Sequence, residues 1–228
     1  MSTRILVIAA HPDDEVLGCG GTIARLVEEE NRVFVVILGE GVTSRFSSRE
    51  EADEDLVQAL QLKSRDVAKF LGVQEVFSRN FPDNRFDTVP LLDIVKAIEG
   101  SIAELEPQVI YTQFGGDLNI DHAITCRATL TAARPEKDCP VKEVYAYEVP
   151  SSTEWSFNQF ESGFHPNVFS DITSTLSKKI EAMQIYGDEV RSFPHPRSPE
   201  AIRYNAGHWG STVGVEAAEA FTLVRLLR

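Results

Sequence analysis

The chain has 228 residues, 43% of them hydrophobic and 25% charged, which suits one α/β domain over residues 1–228 with an ordinary core. Its net charge of −13 argues against a nucleic-acid partner, which calls for a basic face, and against docking on an anionic membrane. No apolar run nears the roughly 18 residues that span a bilayer, and the start of the chain and its three cysteines suggest neither a secretory leader nor a disulfide framework, so a reduced cytoplasmic protein is expected.

Ile5 to Ala9 is a short continuous apolar run, the pattern of a strand buried on both faces of a parallel sheet. It stops at His11-Pro12, because proline has no donor for a ladder. A His and two Asp therefore lie at the carboxyl end of the first strand, where open α/β sheets bind ligands. His11 and Asp14 are three residues apart on a tight loop, close enough to reach one ion, with Asp13 between them free to face a metal-bound water. Pro12, Asp13 and Asp14 equally make a turn that caps the next helix. Gly18, Cys19, Gly20 and Gly21 raise a dinucleotide-binding turn, but the last position of the G-x-G-x-x-G pattern is Ile23. The glycines are better read as points where backbone passes close to the sheet.

Together with its flanks, the stretch Ala10-His11-Pro12-Asp13-Asp14-Glu15-Val16-Leu17-Gly18-Cys19-Gly20-Gly21-Thr22 resembles the signature of the zinc-dependent LmbE-like/PIG-L de-N-acetylases. Members remove acetyl from an N-acetylated sugar, often N-acetylglucosamine joined to an inositol, a malate or a lipid. The resemblance implies a Rossmann-like three-layer α/β sandwich with a mostly parallel central sheet. It assigns His11 and Asp14 as zinc ligands and Asp13 as general base, and expects a third ligand from an Asp-His pair downstream.

A helix from about Gly21 is followed by a second buried strand, Val33 to Leu38, which runs into Gly39-Glu40-Gly41. Family members carry a similar segment with a substrate-holding arginine nearby, which makes Arg45 the candidate and Arg49 its alternate. Glu50 to Leu71 has helical periodicity with an acidic first turn and Gly72 as its stop. Val73 to Phe77 is a third strand. Phe81-Pro82-Asp83-Asn84-Arg85-Phe86 reads as a turn, and by resemblance as a pocket segment in which Asp83 accepts from sugar hydroxyls. Pro90 to Glu104 is a helix and Val109 to Thr112 a fourth strand. This alternation is that of β-α-β units in a parallel sheet covered on both faces.

Asn119-Ile120-Asp121-His122 follows that strand. The family pattern is His, any residue, Asp-His. His122 takes the role of third ligand, and Asp121 is placed to orient a His ring. The position usually held by His is Asn119, which donates a hydrogen bond to a developing oxyanion but cannot shuttle a proton. Asp13 is then a candidate to return the proton to the leaving amine if no His does. His195, between Pro194 and Pro196, is a second acid candidate or an exposed loop residue.

Val141 to Val149 alternates as a strand, and Glu148 at its end is a candidate substrate contact. Trp155, Phe157, Phe160 and Phe164 suggest packing, a sugar-stacking wall or an oligomer contact. A helix ends at Ile185 and another starts at Pro199. The expected function is removal of acetyl from a small N-acetylated sugar, conjugated or nucleotide-linked, with Zn2+ bound; a two-His, one-carboxylate set also suits Fe2+. The alternatives are hydrolysis of another amide on the same metal and a non-catalytic metal- or sugar-binding relative. Homo-oligomers are expected from the resemblance.

Overall fold

The computed structural model describes residues 2–47, 49–51, 54–160 and 163–228. Its strands are β1 (Arg4–Ala9), β2 (Arg32–Gly39), β3 (Glu75–Phe81), β4 (Val109–Gln113), β5 (Glu143–Tyr147), β6 (Val168–Asp171) and β7 (Ala218–Leu226). They form one sheet in the order β3-β2-β1-β4-β5-β7-β6. Pairing is parallel from β3 through β5, and β7 runs antiparallel to both β5 and β6. The helices are α1 (Asp14–Glu28), α2 (Glu54–Leu71), α3 (Leu91–Leu105), α4 (Ile120–Ala132), α5 (Leu176–Ile185) and α6 (Pro199–Val213). No described helix is long and apolar enough to cross a membrane.

The continuous apolar run of β1 supplies both layers. Ile5, Val7 and Ala9 pack with Leu17 and Ile23 of α1, Val67 and Leu71 of α2 and Met183 of α5. Leu6, Ile8 and Ala10 pack on the other face with Ile94 and Ile98 of α3 and Ala128 of α4. Each large side chain fully buried here contributes about 1.5–3 kcal/mol. The expected three-layer α/β architecture is therefore present.

Several element limits differ from the expectations. The first helix starts at Asp14, not near Gly21, and breaks at Cys19 (φ −146°, ψ 24°). The break is closed from outside the helix: Glu219 accepts from the Gly21 and Thr22 N–H groups, while Lys179 Nζ donates to the Leu17 carbonyl and to Glu219 at 2.6 Å. A Cβ on Gly18 would enter the Tyr147 ring of β5, so the glycines serve close packing against the sheet. Of the acidic run expected at the start of the second helix, Glu54 and Asp55 begin α2, and Asp53 lies outside the described residues. Val73 belongs to the helix stop, its N–H reaching the Ala68 carbonyl, and β3 runs on through polar residues to Phe81. The strand expected over Val141–Val149 pairs only over Glu143–Tyr147. Cys19 and Cys126 are buried and in no disulfide.

Candidate metal centre

The sheet places the site. After β1 the chain turns into α1 toward β2, whereas β4 lies on the other side of β1, so a crevice opens where the strand order reverses. His11 enters this crevice from the end of β1, and His122 enters from the start of α4, after β4. Asp13 takes a left-handed backbone conformation (φ 101°), an uncommon one for a non-glycine residue, which marks this turn. Its carbonyl accepts from the N–H groups of Val16 and Leu17, starting α1. Thus the turn reading and the site reading describe the same residues. Gly39 permits the close approach of β2, since a Cβ there would lie 2.8 Å from the Ala10 carbonyl oxygen and 3.2 Å from the His11 ring.

One nitrogen or oxygen from each of His11, Asp14 and His122 can be chosen so that all lie within 4.8 Å of one another. His11 Nδ1 is 3.4 Å and His122 Nε2 3.3 Å from Asp14 Oδ2. His11 Nε2 meets Asp121 Oδ2 at 2.9 Å, which assigns its proton to Nε2 and leaves Nδ1 facing Asp14. Asp117 Oδ2 lies 3.2 Å from His122 Nδ1. Asp14 Oδ2 is oriented by the His11 N–H and by Gln113 Nε2, whereas Asp14 Oδ1 and both ring nitrogens of His122 are buried without a hydrogen bond. Buried polar atoms are almost always paired, so the unpaired Asp14 Oδ1 and His122 Nε2 within this cluster fit a cation. A second grouping, His11 with Asp83 and Asp121, fits less well. Asp121 Oδ1 accepts from the Phe86 N–H and its Oδ2 faces His11, while Asp83 accepts from Ser44 N–H and Asn84 Nδ2.

The electrostatics carry the signature of a site built for positive charge. Burial works against ionising Asp14, but the His122 and His11 rings outweigh it and hold its pKa well below the usual carboxylate range. Burial likewise opposes protonating His122, but Asp14 and Asp117 prevail and push its pKa up to about 9. His11 is raised in the same way, burial being outweighed by Asp121 and Asp14. Asp13 is raised by burial, against the pull of Arg197. A bound divalent cation would add positive charge beside all four groups and favour ionised Asp13.

A cleft of about 140 Å³ opens over the site and is lined by His11, Asp13, Asp83 and Asn119, among others. A wider groove of about 630 Å³ borders Glu40 and Arg49 but contains neither of the two ligand groupings. Arg45 lines the cleft with its guanidinium on Glu189 at 2.5 and 2.7 Å, while Arg49 grips Glu40. Asn119 also lines it, but its amide is partly committed. Its Oδ1 caps α4 by accepting the Asp121 N–H, and its Nδ2 donates to Asn84 Oδ1, leaving one N–H.

Two expected contacts sit elsewhere. Glu148 is turned toward α6, where its carboxylate takes hydrogen bonds from Asn205 and Trp209. His195 is not among the cleft residues, because its Nδ1 accepts the Arg197 N–H and its ring meets Trp155 edge-on at 5.5 Å. Partial burial, Arg197 and Arg191 lower its pKa, which disfavours the protonated ring. Trp155, Phe157 and Phe160 are exposed, and Phe164 packs on Phe114. The sequence reading missed Gln113, Asp117, Ser151, Glu189 and Arg197. Only Asp117, five residues before His122, lies close enough to a motif to have been suspected.

The family model described as PIG-L, GlcNAc-PI de-N-acetylase, matches residues 6–133. An uncharacterized deacetylase, YaiS, from Escherichia coli K12 is 30% identical over 175 residues, 74% of this chain and 81% of that protein. Among solved structures, the N,N'-diacetylchitobiose deacetylase of Pyrococcus horikoshii superposes with a TM-score of 0.78 at 19% identity, covering 98% of this chain and 84% of its own. GalB, the 4-carboxy-2-hydroxymuconate hydratase of Pseudomonas putida KT2440, superposes at 0.76 with 24% identity, over 99% and 98%. Those two superpositions speak for fold alone, since one shape hosts a deacetylase and a hydratase. The family model covers more than half of the residues and takes in His11, Asp13, Asp14 and His122, and on that match this chain belongs to the PIG-L, GlcNAc-PI de-N-acetylase, family.

Proposed function

We propose that this chain is a zinc-dependent hydrolase that removes acetyl from an N-acetylated sugar of the N-acetylglucosamine type. The observation that carries the reading is the division of labour at the end of β1. Asp14 lies between the two His rings through Oδ2 and keeps its other carboxylate oxygen buried and unpaired, and the adjacent Asp13 is held to one side by Arg197. His11, Asp14 and His122 would hold the ion, and Asp121 and Asp117 orient the two rings. Bound zinc supplies a water of lowered pKa and polarises the amide carbonyl. Asp13 removes a proton from the attacking water and returns it to the leaving amine nitrogen, a role left to it because Asn119 cannot shuttle one. The remaining Asn119 N–H is available to the carbonyl oxygen. Asp83 and Arg45, along the cleft, meet the sugar hydroxyls.

The test is acetate release from a panel of N-acetylated sugars, free, conjugated and nucleotide-linked, after chelation and return of zinc. Turnover should require zinc, and Asp13→Ala should lower it by about 10²–10⁴-fold while the protein still binds metal. Turnover of other amides with the same dependence would reassign the substrate class. Zinc-loaded protein that binds metal but cleaves neither class would be a non-catalytic relative, and the proposal would fall.

A further inference from the structure

Asp13 and Asp14 are neighbours in sequence, both almost fully buried, and carry the same functional group; Asp14 belongs to the three-ligand cluster and Asp13 lines the cleft beside His11. A divalent cation attracts both, so something outside the pair must decide which one is ligand. The left-handed turn at Asp13 starts the separation, and one side chain completes it. Arg197, 184 residues away, donates from Nη1 to Asp13 Oδ2 at 2.7 Å. Its guanidinium is itself tied down: Nε donates to Ser151 Oγ at 2.9 Å, and Nη1 lies 3.6 Å from Glu189, the carboxylate that also holds Arg45. Its backbone is anchored between His195, which accepts its N–H, and Ser198, which caps α6. Arg197 therefore cannot readily follow Asp13 toward an ion, and a charge-assisted hydrogen bond of this kind is among the stronger available.

We infer that Arg197 is a positioning residue that keeps Asp13 out of the metal's ligand set, so that one carboxylate of the pair binds metal and the other stays free as base. The catalytic consequence rests on the proposed hydrolase reading; the division of ligands does not, and metal alone reads it. The experiment uses cobalt(II) as the probe on wild-type protein, Arg197→Met, Arg197→Gln, Arg197→Lys, Asp13→Asn and the double variant Asp13→Asn/Arg197→Met. Wild type and Asp13→Asn should share one visible cobalt spectrum and one Kd, because Asp13 is not a ligand. Arg197→Met and Arg197→Gln should show weaker visible absorption, as an added carboxylate raises the coordination number, and a Kd tighter by about tenfold. The double variant should return to the wild-type spectrum, which assigns the change to Asp13 and not to general loosening. Arg197→Lys, which keeps a cation on Asp13, should stay close to wild type.

On any sugar that wild type cleaves, Arg197→Met should lower kcat by about 10²-fold with little change in KM. An unchanged cobalt spectrum and Kd in a folded Arg197→Met or Arg197→Gln overturns the inference, whichever of the two folds. A spectral change that persists in the double variant does the same. Wild type that fails to bind cobalt overturns both this inference and the metal-hydrolase reading. Normal cobalt results without turnover of any sugar would sink only the latter.

Discussion

Loading the metal-free protein with zinc at pH 7 should expel at least about one proton per ion. His122 titrates at about 9 in the metal-free site, because Asp14 and Asp117 outweigh the cost of its burial. At pH 7 its ring is therefore mostly doubly protonated. His11 is raised in the same direction, with Asp121 and Asp14 overcoming burial, and Asp14 is already ionised. Zinc takes only a neutral imidazole, so each protonated ring gives up a proton on binding. The sign follows directly. A raised His pKa means that protons compete with the ion below about pH 9, so apparent affinity climbs as pH rises, by about tenfold per unit for each titrating ring, and levels off beyond that value. The same pairing stabilises metal-free protein below the unfolded His value of about 6.5, and that contribution is lost as pH rises through about 9. Calorimetric titration in buffers of different ionisation enthalpy counts the protons. Asp117→Asn should reduce the count and weaken zinc by about 10–100-fold. Release of fewer than about half a proton at pH 7 would refute the argument that His122 is protonated in the metal-free site.

Three further perturbations separate scaffold from chemistry. Glu219→Gln strands the buried Lys179 ammonium at the break in α1 and should cost about 3–5 kcal/mol in denaturant unfolding, whereas Lys179→Met/Glu219→Gln should recover much of it; a loss under about 1 kcal/mol for the single variant would contradict this role. Asn119→Ala removes the cap of α4 and should cost about 1 kcal/mol together with turnover. Asn119→Asp keeps the cap acceptor but lacks the amide donor, so it should unfold like wild type and still lose activity, and full activity would remove Asn119 from the mechanism. Gly18→Ala places a methyl inside the fully buried Tyr147 ring, whose hydroxyl is fixed to the Ile8 carbonyl, and should destabilise by at least about 1–3 kcal/mol in thermal melts.

Much of this molecule is legible along the chain. The run from Ile5 to Ala9 is apolar at every position because both of its faces are covered, and local chemistry alone identifies it. His11-Pro12-Asp13-Asp14 and Asp121-His122 are short motifs whose spacing is set by one turn and one helix start, so they survive as local signals. The edge elements were harder. β3 carries Ser78, Arg79 and Asn80 at the sheet edge, without an apolar pattern and where its register with β2 shifts, and β6 has only four residues. Glu148 lies one residue beyond β5, and tertiary packing turns its carboxylate toward Asn205 and Trp209.

Local sequence thus determined the order of the first five strands and the two halves of the metal centre, because a turn or a helix start fixes residues one to four apart. Tertiary structure alone decided which groups tune that centre. Gln113, Asp117, Ser151, Glu189 and Arg197 arrive from four further segments, and nothing near Arg197 in the chain announces its partner. The pairing of Arg197 with Asp13 exists because the parallel sheet brings the end of β1 beside the loop after β5 and the start of α6. That convergence of distant backbone is a property of the fold, and no window of sequence contains it.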